Sequence, residues 1–333
     1  MLDFTGFKSE FVSCCKSSLS ALVDPSTDHD FSIEERTVTK AQVGKLSALI
    51  FRSPGFFCAP TVYVEDFYRM YRDGHSVKDL SVTAVNSVYP YIRCAPSFPD
   101  DAFDNAENLR VRLLNRALNR AFLQTVPFID TGCGLTLVAE FRSGEYRASV
   151  TAELLEALGM DRDELFETAL SNSSLYDPPV LFELSELLMS GKDMCDNLLE
   201  KDSGYELSSV TSLYMLSNDK CFWGAAARFY PEMMQRLSRL MSGAFYVLPS
   251  SVHEVLVMPV ADGDPQMLAD TIRSANRSVV EEEEFLSDDL YICDNGTLRR
   301  VSYGGVACNS VVHRLRHSRP ERYSQACTNQ PYS

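Results

Sequence analysis

The run Phe245–Pro259, FYVLPSSVHEVLVMP, limits what this chain can fold into more than any other stretch. Two short segments rich in Val, Leu, Phe and Tyr flank Pro249-Ser250-Ser251, residues that favour turns. Strands joined by so short a connection pair antiparallel, because a parallel crossover needs a dozen or more residues. The same design recurs. Phe31–Thr39 and Lys45–Phe51 flank a loop with Gly44, Leu135–Phe141 and Glu145–Val150 flank Arg142-Ser143-Gly144, and Ser212–Ser217 and Lys220–Trp223 bracket Asn218-Asp219. Thr61–Val64 and Leu290–Cys293 read as further strands.

Helical stretches lie between these pairs. Phe4, Phe7, Phe11, Cys15, Leu19 and Leu22 fall on one face of an amphipathic first helix. A helix over 65–73 stops at Gly74, Ser76 with Asp79 opens the next, and Pro90 marks the loop after it. The spacing of Leu109, Leu113, Leu114, Ala117, Ala121 and Phe122 predicts a long helix over 105–124. Two helices meet at Gly159, the second opened by the pair Asp161 and Glu164. Residues 180–200 read as helical, as do Gly224–Leu240, interrupted by Pro231, and a segment capped by Asp264 that runs to Asn276. The expected fold class is therefore α+β, with largely antiparallel sheets and flanking helices. An N-terminal α+β portion over 1–128 and a C-terminal one over 129–296, packed together or apart, precede a disordered basic tail over 297–333.

Charge is unevenly spread. The net charge is −15, yet from Thr297 onward six arginines face one acid, Glu321, so that tail carries +5 and residues 1–296 carry −20. An acidic body repels phosphate backbones and acidic lipid surfaces, which leaves nucleic acid as a partner for the tail alone. The 10 cysteines include no CxxC pair, as expected for reduced thiols in the cytoplasm. No basic leader precedes an apolar run at the start, and no segment is long and apolar enough to span a bilayer, so no membrane partner is expected.

Three constellations bear on chemistry. Pro249, Ser250, Ser251, His253 and Glu254, with Asp288 further on, are candidate ligand-binding residues at the rim of the late hairpin. If His253 and Glu254 lie on a strand, they point to opposite faces and cannot act on one atom. Arg112, Arg116 and Arg120 form an i, i+4, i+8 stripe on the predicted helix, a candidate surface for an anion or an acidic partner. The run Asp130-Thr131-Gly132-Cys133-Gly134 is similar to the glycine-rich turn of S-adenosylmethionine-dependent methyltransferases. The residues after it, from Leu135 on, read as a strand, which favours a plain turn. The five histidines lack HExxH spacing, and the chain has no P-loop and no GxSxG, so no catalytic residue, metal or cofactor is assigned.

Several segments in order, TVTKAQVGKL, APTVYVEDFYRMYRDGHSVKDL, the stretch leading into VPFID, YMLSNDKCFWGAAARFYP, YVLPSSVHEVLVMPV and FLSDDLYIC, resemble a bacterial family known only as domain of unknown function 5688. The likeness runs from about residue 4 to 294. YRASVTAELLEALGMDRDELFETALSN is also similar to a second uncharacterised family. The resemblance implies a cytosolic bacterial protein and brings no catalytic residues. It also implies an apolar residue in the place of Gly132-Cys133-Gly134. The expected function is a non-enzymatic binding or regulatory module for a protein or small molecule. The alternatives are an enzyme with its site near Ser251–Glu254, or a methyltransferase-like protein using Asp130–Gly134.

Overall fold

A computed structural model of the chain describes residues 1–23, 31–52, 59–93, 105–143, 146–201, 207, 212–260 and 265–301. It divides into two compact units, residues 1–105 with 116–126, and residues 106–115 with 127–333. Gly144 in the expected hairpin turn, the Asp264 cap and the tail from 302 onward lie outside the described residues.

In the first unit, helix α1 (Phe4–Leu22) starts at Asp3, whose carboxylate accepts the Gly6 N–H at 2.8 Å. Most of its predicted apolar face is buried: Phe7, Phe11, Cys15 and Leu19 are enclosed and Phe4 is half-buried, whereas Leu22, in the last turn, is exposed. Strands β1 (Ser32–Lys40), β2 (Gly44–Arg52) and β3 (Thr61–Tyr63) form an antiparallel sheet in that order. Helix α2 (Val64–Arg72) comes next, and α3 (Val77–Arg93) is opened by the Asp79 N–H bonding to Ser76 Oγ at 3.1 Å. Pro90 lies inside α3, near its end, not in a loop. Phe7 and Phe11 stack at 5.3 Å and share a core with Leu49, Phe51, Leu80 and Val85.

In the second unit, β4 (Leu109–Asn115), β5 (Phe128–Asp130), β6 (Leu135–Ser143) and β7 (Tyr146–Ser149) make an antiparallel sheet. β6 takes β4 along one edge and β5 and then β7 along the other. The helix expected over 105–124 is thus replaced by strand β4, with short 3₁₀ turns at Ala106–Asn108 and Phe122–Gln124. The physical reason is a shared periodicity. Leu109 and Leu113 lie on one face of a helix, but also on one face of a strand, and pairing with β6 over the whole length of β4 decides between them. The free edge of β4 is covered by α5 (Arg162–Tyr176), which comes after α4 (Ala152–Ala157); Ser173 Oγ accepts the Val111 N–H at 2.9 Å. The predicted capping box at Asp161 and Glu164 opens α5.

A second sheet has the order β13-β12-β10-β11-β9-β8, antiparallel throughout. Its strands are β8 (Pro179–Glu183), β9 (Tyr214–Asn218), β10 (Phe245–Leu248), β11 (Val255–Pro259), β12 (Tyr291–Asp294) and β13 (Thr297–Arg300). Helices α6 (Leu184–Ser190), α7 (Met233–Leu240) and α8 (Pro265–Val279) connect them. The region 180–200 therefore begins as a strand, and 220–223 is a turn instead of a strand. Residues 224–240 split into a 3₁₀ helix, Gly224–Phe229, and α7. The basic tail does not begin disordered: Thr297–Arg300 pair with β12 across Asn295-Gly296, whose φ values of 48° and 73° suit a two-residue hairpin turn. The fold class is α+β with antiparallel sheets. No helix among the described residues is long and apolar enough to cross a membrane.

Candidate functional site

One face of the β4–β6–β7 sheet is basic. Arg110 and Arg112 are alternate residues of β4, so they share a face, and Arg110 stands opposite Glu140 of β6. Arg142 lies two residues beyond Glu140 and opposite Arg147 of β7, which puts both on that same face. Asp177, at the end of α5, is buried there. It accepts a bond from Arg142 Nη1 at 2.7 Å, pairs with Lys220, and lies 3.6 Å from Arg110 Nε. Glu140 takes the other arm of Arg142 at 3.0 Å. Among the described residues, Asp177 and Glu140 thus answer Arg110, Arg142 and Lys220, in a chain whose net charge is −15.

Arg112 is held differently. Its guanidinium lies 3.8 Å from the centre of the Trp223 ring, a cation–π contact, and its buried Nε has no hydrogen-bond partner among the described residues. Burial, only partly offset by Glu140, pushes its pKa down to about 10. Arg147 lies 4.4 Å from the same ring and 4.6 Å from Phe222, which stacks on Trp223 at 4.7 Å. The helical stripe Arg112, Arg116 and Arg120 does not form. Arg112 faces inward on β4, whereas Arg116 and Arg120 are exposed in the turn after it, in the segment grouped with the first unit.

The aromatic floor comes from the turn after β9. Cys221 and Trp223 adopt left-handed backbone angles, φ 49° and 53°, costly for such residues. The side chain of Asn218 holds them: its Oδ1 accepts the Phe222 N–H at 3.2 Å and its Nδ2 donates to the Phe222 carbonyl at 2.9 Å. Gly224 then enters a space in which a Cβ would stand 2.8 Å from the His253 carbonyl and closer still to Ser217 Oγ and Asn218 N.

That carbonyl belongs to the predicted rim. Pro249, Ser250 and Ser251 are buried, and His253 and Glu254 are half-buried. The two do not lie on a strand, because β11 starts at Val255, so alternation does not part them. His253 Nδ1 accepts the Trp223 N–H, which places the imidazole proton on Nε2, facing Glu284 Oε1 at 3.1 Å. Its ring centre lies 5.0 Å from that of Phe222. Burial raises the Glu254 carboxyl above its usual range, against the opposing pull of His253 and of the Ser251 and Ser250 hydroxyls. Ser250, Ser251, His253 and Glu254 are therefore brought together, next to the basic face through Phe222. Asp288 accepts a hydrogen bond from Asn276 of α8 at 3.1 Å, and Leu286, two residues before it, donates its N–H to the Ser250 carbonyl at 2.9 Å.

Asp130–Gly134 turn between the antiparallel strands β5 and β6. The strand-turn-helix setting of a methyltransferase is missing, and the glycines imply no cofactor. No group of three His, Cys, Asp or Glu side chains among the described residues is arranged to hold a metal ion.

Sequence reasoning missed Arg110, Glu140, Arg142, Arg147, Asp177, Lys220, Phe222 and Trp223. One signal was available: the chain's single tryptophan sits in SNDKCFWGAA, just after a polar turn.

Fold and site together describe an α+β protein with an arginine-lined, aromatic-floored surface. The profile of DUF5688, a family of unknown function, matches residues 7–295, and the chain belongs to that family. No curated protein and no solved structure matches it.

Proposed function

We propose that the protein is a non-enzymatic binding module, and that its ligand is an anion seated against Arg112, Arg142 and Arg147 beside Trp223 and Phe222. The observation that carries this reading is Arg112: its guanidinium lies over an indole, its Nε is buried without a hydrogen-bond partner among the described residues, and Glu140, the carboxylate that acts on it, is already paired with Arg142. A ligand carboxylate or phosphate supplies the charge and acceptors such a group favours. The ordered turns on both sides fit a preformed site. The ligand is a small molecule or an acidic segment of a protein, not nucleic acid, since residues 1–296 carry a charge of −20. A reducing compartment such as the bacterial cytoplasm fits the cysteines, which are free where described.

Titration calorimetry with inorganic pyrophosphate at low ionic strength tests it. Binding by the full chain should weaken about tenfold or more, roughly 1.4 kcal/mol, in Arg112→Met. It should be unchanged in Arg72→Gln, a substitution on the exposed side of α2. Failure to bind both pyrophosphate and citrate, or equal binding by Arg112→Met, refutes the proposal.

One observation favours a second reading, an enzyme working at Ser251–Glu254. A carboxyl held above its usual range suits a general acid. Pyrophosphate hydrolysis that disappears in Glu254→Gln would carry that reading, and binding without turnover rejects it.

A further inference from the structure

The 3₁₀ helix Gly224–Phe229 contains a charge that neither the rim nor the basic face uses. Arg228 is only 2% exposed, and its Nε, Nη1 and Nη2 are all buried without a hydrogen-bond partner among the described residues. Its guanidinium lies 4.3 Å over the ring of Phe229. The polar groups that act on it most strongly are Cys133, in the Gly132–Gly134 turn, whose thiol is near enough to serve as a weak acceptor but carries no counter-charge, and Tyr291 and Cys293 on β12. Burial raises the pKa of each of these three, so two neutral thiols and a neutral phenol surround the charge. The phenol proton is engaged elsewhere, because Tyr291 donates to the Cys133 carbonyl at 2.7 Å.

A guanidinium does not shed its charge as a buried lysine can. Enclosed without a counter-charge, it costs several kcal/mol, and its donors lose the bonds they made to water. Neighbouring basic groups are answered otherwise: Arg110 and Arg142 have Asp177, and Arg142 also has Glu140. Arg228 has no carboxylate in ion-pair range among the described residues.

We propose that Arg228 anchors an internal site for one small monovalent anion of halide size, enclosed between the Gly132–Gly134 turn and β12. A single guanidinium matches a single negative charge. A dianion such as sulfate would leave charge unbalanced and loses more on shedding its hydration. Sulfur and aromatic walls are polarisable, which suits chloride or bromide better than strongly hydrated ions. The site is separate from the arginine-lined surface and does not depend on what binds there.

The test is melting of the full-length protein in sodium chloride, bromide and gluconate at equal ionic strength, gluconate being too large to be enclosed. Chloride and bromide should raise Tm along a saturating curve, by on the order of 5 °C near about 100 times Kd, and gluconate should not. Arg228→Met, which keeps the length of the stem without the charge, should lose the response. If that variant does not fold, anomalous scattering from bromide in crystals of the unsubstituted protein decides, and a peak beside the guanidinium upholds the site. Bromide absent from that position, melting indifferent to the anion, or a halide response that persists in Arg228→Met overturns it.

Discussion

The backbone N–H of Trp223 donates to Nδ1 of His253 across 3.1 Å. This bond joins the aromatic floor of the basic face to the Pro249–Glu254 rim, and two more run beside it: Gly224 N–H to the His253 carbonyl at 3.0 Å and Ala225 N–H to the Val252 carbonyl at 3.2 Å. The imidazole therefore acts as a spacer with a fixed tautomer, accepting from a left-handed residue on one side and facing Glu284 on the other.

Replacing that imidazole should loosen the floor. His253→Ala leaves the Trp223 N–H without its acceptor, at a cost of about 1–2 kcal/mol. Trp223 is the chain's single tryptophan, so its emission reports the turn directly. A red-shifted emission maximum and a lower Tm are expected. Unchanged emission would show that the left-handed turn holds without His253.

Gly224 is the position least able to accept a side chain. A methyl group there meets the His253 carbonyl at 2.8 Å and presses on the Ser217 hydroxyl and the Asn218 amide. Those are the groups that hold β9 and the rim together, since Ser217 Oγ donates to the same carbonyl at 2.7 Å. Gly224→Ala should cost about 3 kcal/mol or more, read as a fall in the urea midpoint. A variant as stable as the parent would mean that the strands can part at no cost.

Asp177 is the counter-charge for three cations, with only 3% of its side chain exposed. Asp177→Asn strands Arg110 and leaves Arg142 with Glu140 alone, both arginines being about nine-tenths buried, at a cost of about 3–5 kcal/mol. The Lys220 pair adds little, because that side chain is 54% exposed. Adding Arg110→Met to Asp177→Asn should recover part of the loss, since it removes the stranded charge. Strictly additive losses in the double variant would show that the two residues are not coupled.

What the sequence made legible was local. The α1 stripe, the Asp161–Glu164 capping box and the hairpins at Phe245–Pro259 and Leu135–Ser149 are each set by residues a few positions apart. β4 was not legible, because Leu109 and Leu113 satisfy both helical and strand periods and only β6, distant in sequence, chooses between them. The basic face was hidden for the same reason, drawing Arg112 from β4, Arg142 from β6, Arg147 from β7 and Trp223 from the turn after β9. The rim residues were found, but the pleat argument applied to His253 and Glu254 fails because β11 begins one residue later. Asn295-Gly296 is a hairpin signal that the basic composition after it obscured.

That short stretch before β11 also sets a pH dependence. Glu254 is driven above its ordinary value of 4.5 by burial and by Glu284, while His253, Ser251 and Ser250 act the other way. A carboxyl raised in the folded state binds its proton more tightly there than in the unfolded chain. Its contribution is therefore complete below 4.5 and is lost as pH rises through the folded value. Glu254→Gln resembles the protonated form, so the variant should be the more stable protein at neutral pH, and the two urea midpoints should converge as pH falls below 4.5. A difference in midpoint that stays constant over that window would assign the effect to lost packing instead of the ionised carboxylate.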